Sequence, residues 1–256
     1  MDLREDQDGG TVLNGTALVT GGGRRVGAAI VRTLHGAGMN VVIHHRASDD
    51  DARVLAAELN LLRPDSAVSL GADLLVVEQL ERLAEQAEAQ WGRLDVLVNN
   101  ASTYYETPLG GITEHAFDDL VGTNLKAPLF LSQACAAALR LAQGAIVNIS
   151  DLYARKPLVA RAPYCAAKAG LEAITRVLAL ELAPEVRVNA VAPSSILWPI
   201  DDSVDEAAQR EHLARIPAGR LGGAASIAEA VRYLVSPGAA FVTGTTLAVD
   251  GGEGLL

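Results

Sequence analysis

Short apolar runs alternate with amphipathic stretches along most of this chain, and this alternation constrains the fold more than any other feature. Runs such as ALVT, VLVNN and AIVNIS are nearly continuous in apolar residues. They are typical of strands in a parallel sheet that is covered by helices on both faces. Between two of these runs, Leu80, Leu83, Ala87 and Trp91 fall on one helical face. The strand candidates are Thr16–Thr20, Asn40–His45, Ala67–Asp73, Leu94–Asn100, Gly144–Ser150, Val186–Pro193 and Thr245–Asp250.

This alternation predicts a doubly wound α/β domain of the Rossmann type, with a seven-stranded, mainly parallel sheet and helices on both faces. The 256 residues suit one such domain, and we find neither a tandem repeat nor a linker rich in proline and serine. We expect residues 1–14 to form a flexible acidic tail and residues 15–256 to form the domain. The rhythm is interrupted only at Pro193–Ala218, which we interpret either as a substrate lid or as a surface connection.

The composition excludes several classes of protein. Half of the residues are apolar, which is too many for a largely disordered chain. The formal net charge is −10, from 21 lysines and arginines against 31 aspartates and glutamates. A binder of nucleic acid needs clustered basic residues, so we expect no nucleic-acid partner. An anionic small molecule is still compatible with the charge, because one site can be basic on an acidic protein.

The number of cysteines and the length of the apolar segments indicate the cellular compartment of the protein. Cys135 and Cys165 are too few for a disulfide framework, which favours a reducing compartment. The first residues, MDLREDQDGG, contain no apolar segment of the kind found in secretory signals. No stretch approaches the roughly 20 consecutive apolar residues of a membrane span. We therefore expect a cytoplasmic protein with no membrane partner, and the spacing of its ligand-type residues predicts no metal.

A glycine-rich turn, Thr20–Gly27, connects the first strand to the helical stretch Ala28–Leu34. Glycines allow the backbone to approach a pyrophosphate, and the following helix offers unpaired N–H groups and a partial positive charge. A strand before the turn and a helix after it are the context that a dinucleotide site requires. The turn therefore predicts a bound dinucleotide, although glycines also occur in such turns for purely structural reasons.

The end of the second strand indicates which dinucleotide is bound. A site for NAD usually has an acidic residue here for the ribose hydroxyls, but this chain reads His44-His45-Arg46-Ala47-Ser48. Arginine forms charge-assisted, bidentate contacts with phosphate, so Arg46 favours NADP, and Arg24 adds a second positive charge. The alternative is that Arg46 is a solvated surface charge.

From about Thr16 to Gly252, the chain resembles the short-chain dehydrogenase/reductase family. The resemblance rests on ordered motifs at family spacing: the turn Thr20–Gly27, Asp73, Asn99-Asn100-Ala101-Ser102, Asn124, Tyr164 with Lys168, and Val249–Gly252. It implies a nicotinamide cofactor, which Arg46 marks as NADP(H), and a homotetramer assembled through the helices near Phe117–Ala142 and Pro163–Leu182 and through the last strand. With the glycine turn and the second strand, it gives these cofactor contacts: Gly21, Arg24, Arg25, Val26, Gly27, His45, Arg46, Ser48, Asp73, Leu74, Asn100, Ala101, Ser102, Tyr164, Lys168, Pro193 and Ser195.

The tyrosine–lysine pair suits proton transfer. A tyrosine with the ordinary pKa of about 10 is a poor proton-transfer partner at neutral pH. Lys168 lies one helical turn after Tyr164, so we expect its charge to lower the pKa of Tyr164. The resemblance adds Asn124, which holds a water of the proton relay, to the catalytic residues.

The departures from the family pattern indicate the substrate. The family has a serine thirteen residues before the tyrosine, whereas this chain has Asp151, and Ser150 is one residue out of register. Arg25 replaces a glycine or alanine, and Ser102 replaces a glycine. Together these departures resemble the pteridine reductase branch, which implies catalytic roles for Asp151, Tyr164, Lys168 and Asn124. The substrate contacts that it implies, with two added candidates from the excursion, are Arg25, Ser102, Tyr104, Asp151, Tyr164, Leu197 and Trp198.

The sequence therefore favours an NADPH-dependent reductase of dihydropterins, with oxidised pterins and dihydrofolate as further substrates. One alternative is a reductase of a carbonyl substrate, such as a ketoacyl thioester or another ketone. The other is a non-catalytic NADP-binding sensor on the same fold. For Asp151 alone, the alternative to a catalytic role is a carboxylate that caps a nearby turn.

Overall fold

Seven parallel strands form the centre of the molecule. A computed structural model describes residues 13–46, 49–194, 196 and 205–256. Within these residues the strand order is β3-β2-β1-β4-β5-β6-β7, and every neighbouring pair is parallel. The predicted doubly wound sheet is confirmed. The strands are β1 (Thr16–Val19), β2 (Asn40–His45), β3 (Ala67–Gly71), β4 (Val96–Asn99), β5 (Ala145–Ile149), β6 (Arg187–Pro193) and β7 (Thr246–Val249).

Helices cover both faces of the sheet because successive strand residues point in opposite directions. In β1, Ala17 and Val19 pack with the helices α1, α2 and α8, whereas Leu18 packs with α3, α5 and α6. All three side chains are fully buried. The helices are α1 (Arg25–Gly36), α2 (Asp49–Leu62), α3 (Val77–Trp91), α4 (Glu114–Val121), α5 (Ala127–Ala142), α6 (Ala162–Glu181), α7 (Glu206–Ala214) and α8 (Gly223–Val235).

The start of the packed domain differs from the prediction. The flexible tail was expected to extend to residue 14, but the side chain of Leu13 is buried in the core beside α1 and β2. Its backbone N–H also donates to the carbonyl oxygen of Ala37. The domain therefore begins at or before Leu13, and residues 1–12 lie outside the described part of the chain.

The excursion after β6 is anchored on both sides. Ile196 and Ile216 are buried, and the hydroxyl of Ser194 donates to the carbonyl oxygen of Asp250. The helix α7 lies between these anchors. The predicted contacts Ser195, Leu197 and Trp198 lie outside the described residues, as does Ser48 near the end of β2.

Two expectations from the composition concern membranes and cysteines. Among the described residues, no helix combines the length and the apolar character of a membrane span. Cys135 and Cys165 are both buried free thiols, as expected of packing residues. Burial raises the pKa of the Cys135 thiol to about 12, so this cysteine is unreactive at neutral pH.

Candidate active site

A large cavity opens at the carboxyl ends of the strands, at the point between β1 and β4 where the strand order reverses. Ligands of doubly wound sheets bind at this place. The cavity has a volume of about 690 Å³. The predicted site residues that line it are Gly21, Arg24, Arg25, Val26, Gly27, Arg46, Asp73, Leu74, Asn100, Ala101, Ser102, Tyr104, Asp151, Tyr164, Lys168 and Pro193.

The glycine turn has the geometry that a dinucleotide needs. Gly21 has a φ of +61°, and a Cβ at Gly27 would lie 2.1 Å from the carbonyl oxygen of Gly21. Only glycine fits there, and the cavity side of the turn is left open for phosphate. The side chain of Arg24 does not cap α1, so the first N–H groups of this helix are free of a side-chain acceptor. These features fit the pyrophosphate of a dinucleotide.

Arg25 has an unusual backbone for its residue type. Its φ of 49° lies in the left-handed region, which costs a non-glycine residue about 1–3 kcal/mol. The family's usual glycine would adopt this conformation without that cost. A strained arginine that lines the cavity, in a place where glycine is easier, indicates that its side chain has a role there.

His44 is a cavity residue that the sequence reasoning did not select. Its Nδ1 accepts a hydrogen bond from the N–H of Gly21 at 3.2 Å, and its Nε2 donates to the carbonyl oxygen of Ala72 at 3.1 Å. Burial lowers the pKa of His44 to about 4, so the imidazole is neutral at pH 7. The histidine therefore fixes the glycine turn against the end of β3.

The next residue, His45, was predicted to contact the cofactor, and this stays a prediction. His45 does not line the cavity, because successive strand residues point to opposite faces. Its Nε2 lies 3.3 Å from Asp49 at the start of α2. Neighbouring strand residues point in opposite directions, so the sequence could have shown which histidine faces the cavity if the register of β2 had been known.

Two arginines lie at the end of the cavity where the second strand finishes. Arg46 is exposed and lines the cavity. Arg24 also lines it, but its Nε contacts the carboxylate of Asp51 on α2. The charge of Arg24 is thus partly balanced by Asp51, so Arg46 is the stronger candidate for binding a phosphate.

Asp151, Tyr164 and Lys168 lie together at the other end of the cavity. The hydroxyl of Tyr164 donates to Oδ2 of Asp151 at 2.7 Å. Oδ1 of Asp151 accepts from the N–H of Tyr153 at 2.8 Å and so caps a short 3-10 turn. A turn cap had been weighed against a catalytic role for Asp151, and the carboxylate both caps the turn and contacts Tyr164, one on each oxygen. Nζ of Lys168 donates to the carbonyl oxygen of Ile149 at 2.8 Å.

The electrostatics of this cluster differ from the expectation in one respect. Burial and the neighbouring Asp151 carboxylate raise the pKa of Tyr164, whereas Lys168 had been expected to lower it. Burial also lowers the pKa of Lys168 to about 8, although the Asp151 carboxylate opposes this shift. Burial raises the pKa of Asp151. The tyrosine therefore keeps its proton at neutral pH, and the carboxylate accepts the hydrogen bond from it.

Asn124 contacts a residue of the cavity lining but does not itself line the cavity. It lies in a π-helical turn, Gly122–Lys126, between α4 and α5, and its side chain is buried. Its Oδ1 accepts from the hydroxyl of Ser102 at 2.7 Å, and its Nδ2 donates to the carbonyl oxygens of Thr103 and Leu120 at 2.9 Å. Asn124 does not line the cavity, so it reaches the site through Ser102.

An aromatic pair lines the cavity, and an arginine lies against one of its rings. The ring centroids of Tyr104 and Tyr164 lie 4.8 Å apart, at an interplanar angle of 76°. The guanidinium of Arg161 lies 4.9 Å from the ring centroid of Tyr104. The sequence reasoning missed Arg161, which lies at the N-terminal cap of α6, three residues before Tyr164.

Among the described residues, no group of three or more histidine, cysteine, aspartate or glutamate side chains is arranged to hold a metal ion.

The sequence and structural features together define the class of protein. A family model described as "Enoyl-(Acyl carrier protein) reductase" matches residues 22–253. The chain belongs to the short-chain dehydrogenase/reductase family, whose members are oxidoreductases that use a nicotinamide cofactor. The expected family resemblance is confirmed.

Individual relatives carry several different activities. The chain is 37% identical to pteridine reductase 1 of Leishmania tarentolae, over 93% of this chain and 96% of the relative. It is 34% identical to a 3-oxoacyl-(acyl-carrier-protein) reductase of Staphylococcus aureus, over 93% of this chain and 97% of the relative. It is also 34% identical to L-xylulose reductase of Bos taurus, over 92% and 95%. Overall similarity thus gives the family, and the substrate has to be argued from the site.

Proposed function

We propose that this protein is an NADPH-dependent reductase of pterins, which reduces a dihydropterin to the tetrahydro level. The observation that carries the proposal is the 2.7 Å hydrogen bond from the Tyr164 hydroxyl to the Asp151 carboxylate. A carboxylate is a poor donor toward a ketone oxygen, but a carboxyl group suits a heterocycle with basic nitrogens. The similarity to pteridine reductase 1 supports the same substrate class. Oxidised pterins and dihydrofolate are further substrates in this proposal.

The proposed cofactor is held along the length of the cavity. The glycine turn and the start of α1 bind its pyrophosphate, and Arg46 binds the phosphate that distinguishes NADP from NAD. Asp73 and Leu74, which line the cavity, would contact the adenine end, and Tyr164 and Lys168 would contact the nicotinamide end. When bound, the cofactor supplies a hydride to the substrate.

Reduction of a C=N bond adds this hydride to carbon and a proton to nitrogen. Tyr164 holds a proton on its hydroxyl at the cavity wall, and Asp151 accepts a hydrogen bond from that hydroxyl. After Tyr164 has given up its proton, a proton taken up by Asp151 from water restores it. The raised pKa of Asp151 favours this uptake. The Lys168 ammonium stabilises the negative charge that develops on the two oxygens.

The substrate ring lies against Tyr104 in this proposal. Tyr104 is nearly half exposed and lines the cavity next to Tyr164. A flat heterocycle stacks favourably on such a ring. Arg25 and Ser102 line the same part of the cavity and supply polar contacts to the substrate.

Reduction of a carbonyl is the second candidate, because two of the relatives at 34% identity act on other substrates. The structure offers little support for it in the described residues. Ser150, the nearest serine, is buried, and its hydroxyl lies 3.3 Å from Glu172 and 3.5 Å from the carbonyl oxygen of Lys168. This hydroxyl is engaged with α6 and is not available as the family's serine donor. A cofactor-binding sensor would need neither Tyr164 nor Lys168 in this arrangement.

We also propose a homotetramer. Large apolar side chains are exposed on the helices α4, α5 and α6, which had been expected to form the contacts. These side chains are Phe117, Leu129, Leu141, Val177 and Leu180. Light scattering of the purified protein tests this assembly, and a monomeric mass would contradict it.

The function is tested by incubating purified protein with NADPH and dihydrobiopterin or dihydrofolate, and by following the loss of NADPH absorbance. We expect turnover that depends on the pterin. Turnover of a ketone without turnover of any pterin would contradict the proposal.

A further inference from the structure

We propose that Arg161 is a positioning residue that holds Tyr104 in place and thereby makes the site specific for a flat heterocyclic substrate. The inference rests on the proposed function, because it assumes that a flat ring stacks on Tyr104. It begins from the 4.9 Å separation between the Arg161 guanidinium and the Tyr104 ring centroid. An arginine at this distance from an aromatic face is held by a cation–π interaction.

Arg161 is held from several directions and cannot easily leave the ring. Its side chain is only 11% exposed. One guanidinium nitrogen donates to Glu106 and another to the carbonyl oxygen of Ala160, both at 3.1 Å. Its Nε is buried without a hydrogen-bond partner among the described residues. The position of the guanidinium is therefore set by the aromatic ring together with Glu106 and Ala160.

The backbones of the two segments are also joined. Thr107 forms a parallel β-bridge with Arg161, and its N–H donates to the carbonyl oxygen of Ala160 at 2.8 Å. The loop that carries Tyr104 is thus tied to the segment that precedes α6. Because α6 also carries Tyr164, this tie fixes the stacking residue relative to the proton donor.

The consequence for Tyr104 is a restricted ring. Arg161 covers one face, and Tyr164 limits its tilt at an interplanar angle of 76°. In this proposal a flat ligand stacks on the face of Tyr104 opposite the guanidinium. Because the ring is already restricted before the substrate arrives, binding loses less conformational entropy. A substrate without a flat ring gains nothing from this arrangement, so Arg161 raises specificity and leaves the chemical step unchanged.

The test compares Arg161→Met, which keeps the length of the side chain but removes the charge, with Arg161→Lys and with Glu106→Gln. A cation–π interaction corresponds to about a three- to thirty-fold change in affinity. We expect Arg161→Met to raise the KM for dihydropterin by about this factor, while kcat and the KM for NADPH change less than about twofold. Arg161→Lys should recover part of the loss. Glu106→Gln removes the charge of the ion pair but keeps an oxygen that accepts from the guanidinium, so the guanidinium stays at the ring and the KM should stay close to the native value.

A double-mutant cycle with Tyr104→Ala separates positioning from general stability. If Arg161 acts through the ring, Arg161→Met has no further effect on the KM for dihydropterin in the Tyr104→Ala background. Equal effects in both backgrounds would overturn the inference, as would equal losses in Arg161→Met and Glu106→Gln. For a variant that turns over too slowly to assay, the same comparison is made by using fluorescence to measure how tightly a pterin binds to the NADPH complex. If the native protein reduces dihydropterin and Arg161→Met has the native KM, only this inference fails. If the native protein does not reduce pterins, the proposed function fails with it.

Discussion

The hydroxyl of Tyr164 and the carboxylate of Asp151 are joined by a hydrogen bond of 2.7 Å, although thirteen residues separate them in the chain. Asp151 follows β5, whereas Tyr164 lies in the first turn of α6. The same carboxylate caps the turn after β5 through its other oxygen. The turn therefore orients the carboxylate, and the carboxylate in turn orients the hydroxyl of the proposed proton donor.

Asp151→Ser is expected to lose most pterin turnover while it keeps its affinity for NADPH. A serine cannot relay a proton as a carboxyl group does, and a positioned acid contributes about 10²–10⁴ in rate. The measurement is kcat with dihydropterin, together with the dissociation constant for NADPH from fluorescence titration. Serine can still cap the turn after β5, so it preserves the local backbone. An unchanged kcat in this variant would leave Asp151 with only its structural role.

Arg46→Gln is expected to change the choice of cofactor. The guanidinium of Arg46 is exposed and lines the cavity, where it is available to a phosphate. A charge-assisted hydrogen bond contributes about 1.5–3 kcal/mol, so kcat/KM for NADPH should fall by about tenfold or more. The value for NADH should stay close to native. Equal losses with both cofactors would show that Arg46 does not recognise the extra phosphate.

Arg25→Gly is expected to trade activity for stability. Glycine adopts the φ of 49° at this position freely, so the free energy of unfolding should rise by about 1 kcal/mol. Loss of the side chain should at the same time lower kcat/KM with dihydropterin. The matched control is Arg32→Gly in the middle of α1, where glycine costs about 1 kcal/mol. Urea denaturation measures the free energy of unfolding of both variants. Destabilisation of the two variants to the same degree would contradict the account of Arg25.

His44 is expected to make the fold sensitive to acid. Its pKa is about 4 in the folded protein and 6.5 in its ordinary state, so the unfolded chain takes up the proton first as the pH falls. The stability from this group is therefore complete above pH 6.5 and is lost as the pH falls toward 4, by up to about 3 kcal/mol. Denaturation curves for the native protein and for His44→Asn across this range measure the difference. Parallel pH profiles would show that His44 is not the responsible group.

The sequence was most informative where a pattern repeats or where a family motif has a fixed spacing. Continuous apolar runs predicted the bounds of the strands to within about two residues, because burial on both faces of the sheet leaves little freedom in residue choice. The spacing between Asp151 and Tyr164 predicted their proximity through the family resemblance. Side-chain contacts between distant segments were not predictable in this way. The stacking of Arg161 on Tyr104 depends on how a loop after β4 meets the segment before α6.

Electrostatics were predicted less well than positions. The charge of Lys168 suggested a lowered pKa for Tyr164, but burial and Asp151 together raise it. A sequence shows which charges are present, whereas the balance between charge and desolvation depends on depth and on distance. That His44 and not His45 lines the cavity was unpredictable for a related reason, since the register of β2 decides which ring faces it.

The most direct test of the central claim compares kcat/KM of the native protein for dihydrobiopterin with its value for a 3-ketoacyl thioester, under the same NADPH concentration. The Asp151 and Tyr164 pair, with Tyr104 beside it, predicts that the dihydropterin is reduced to the tetrahydro product and that its kcat/KM is larger by orders of magnitude. Efficient reduction of the thioester with no reduction of the pterin would contradict the account.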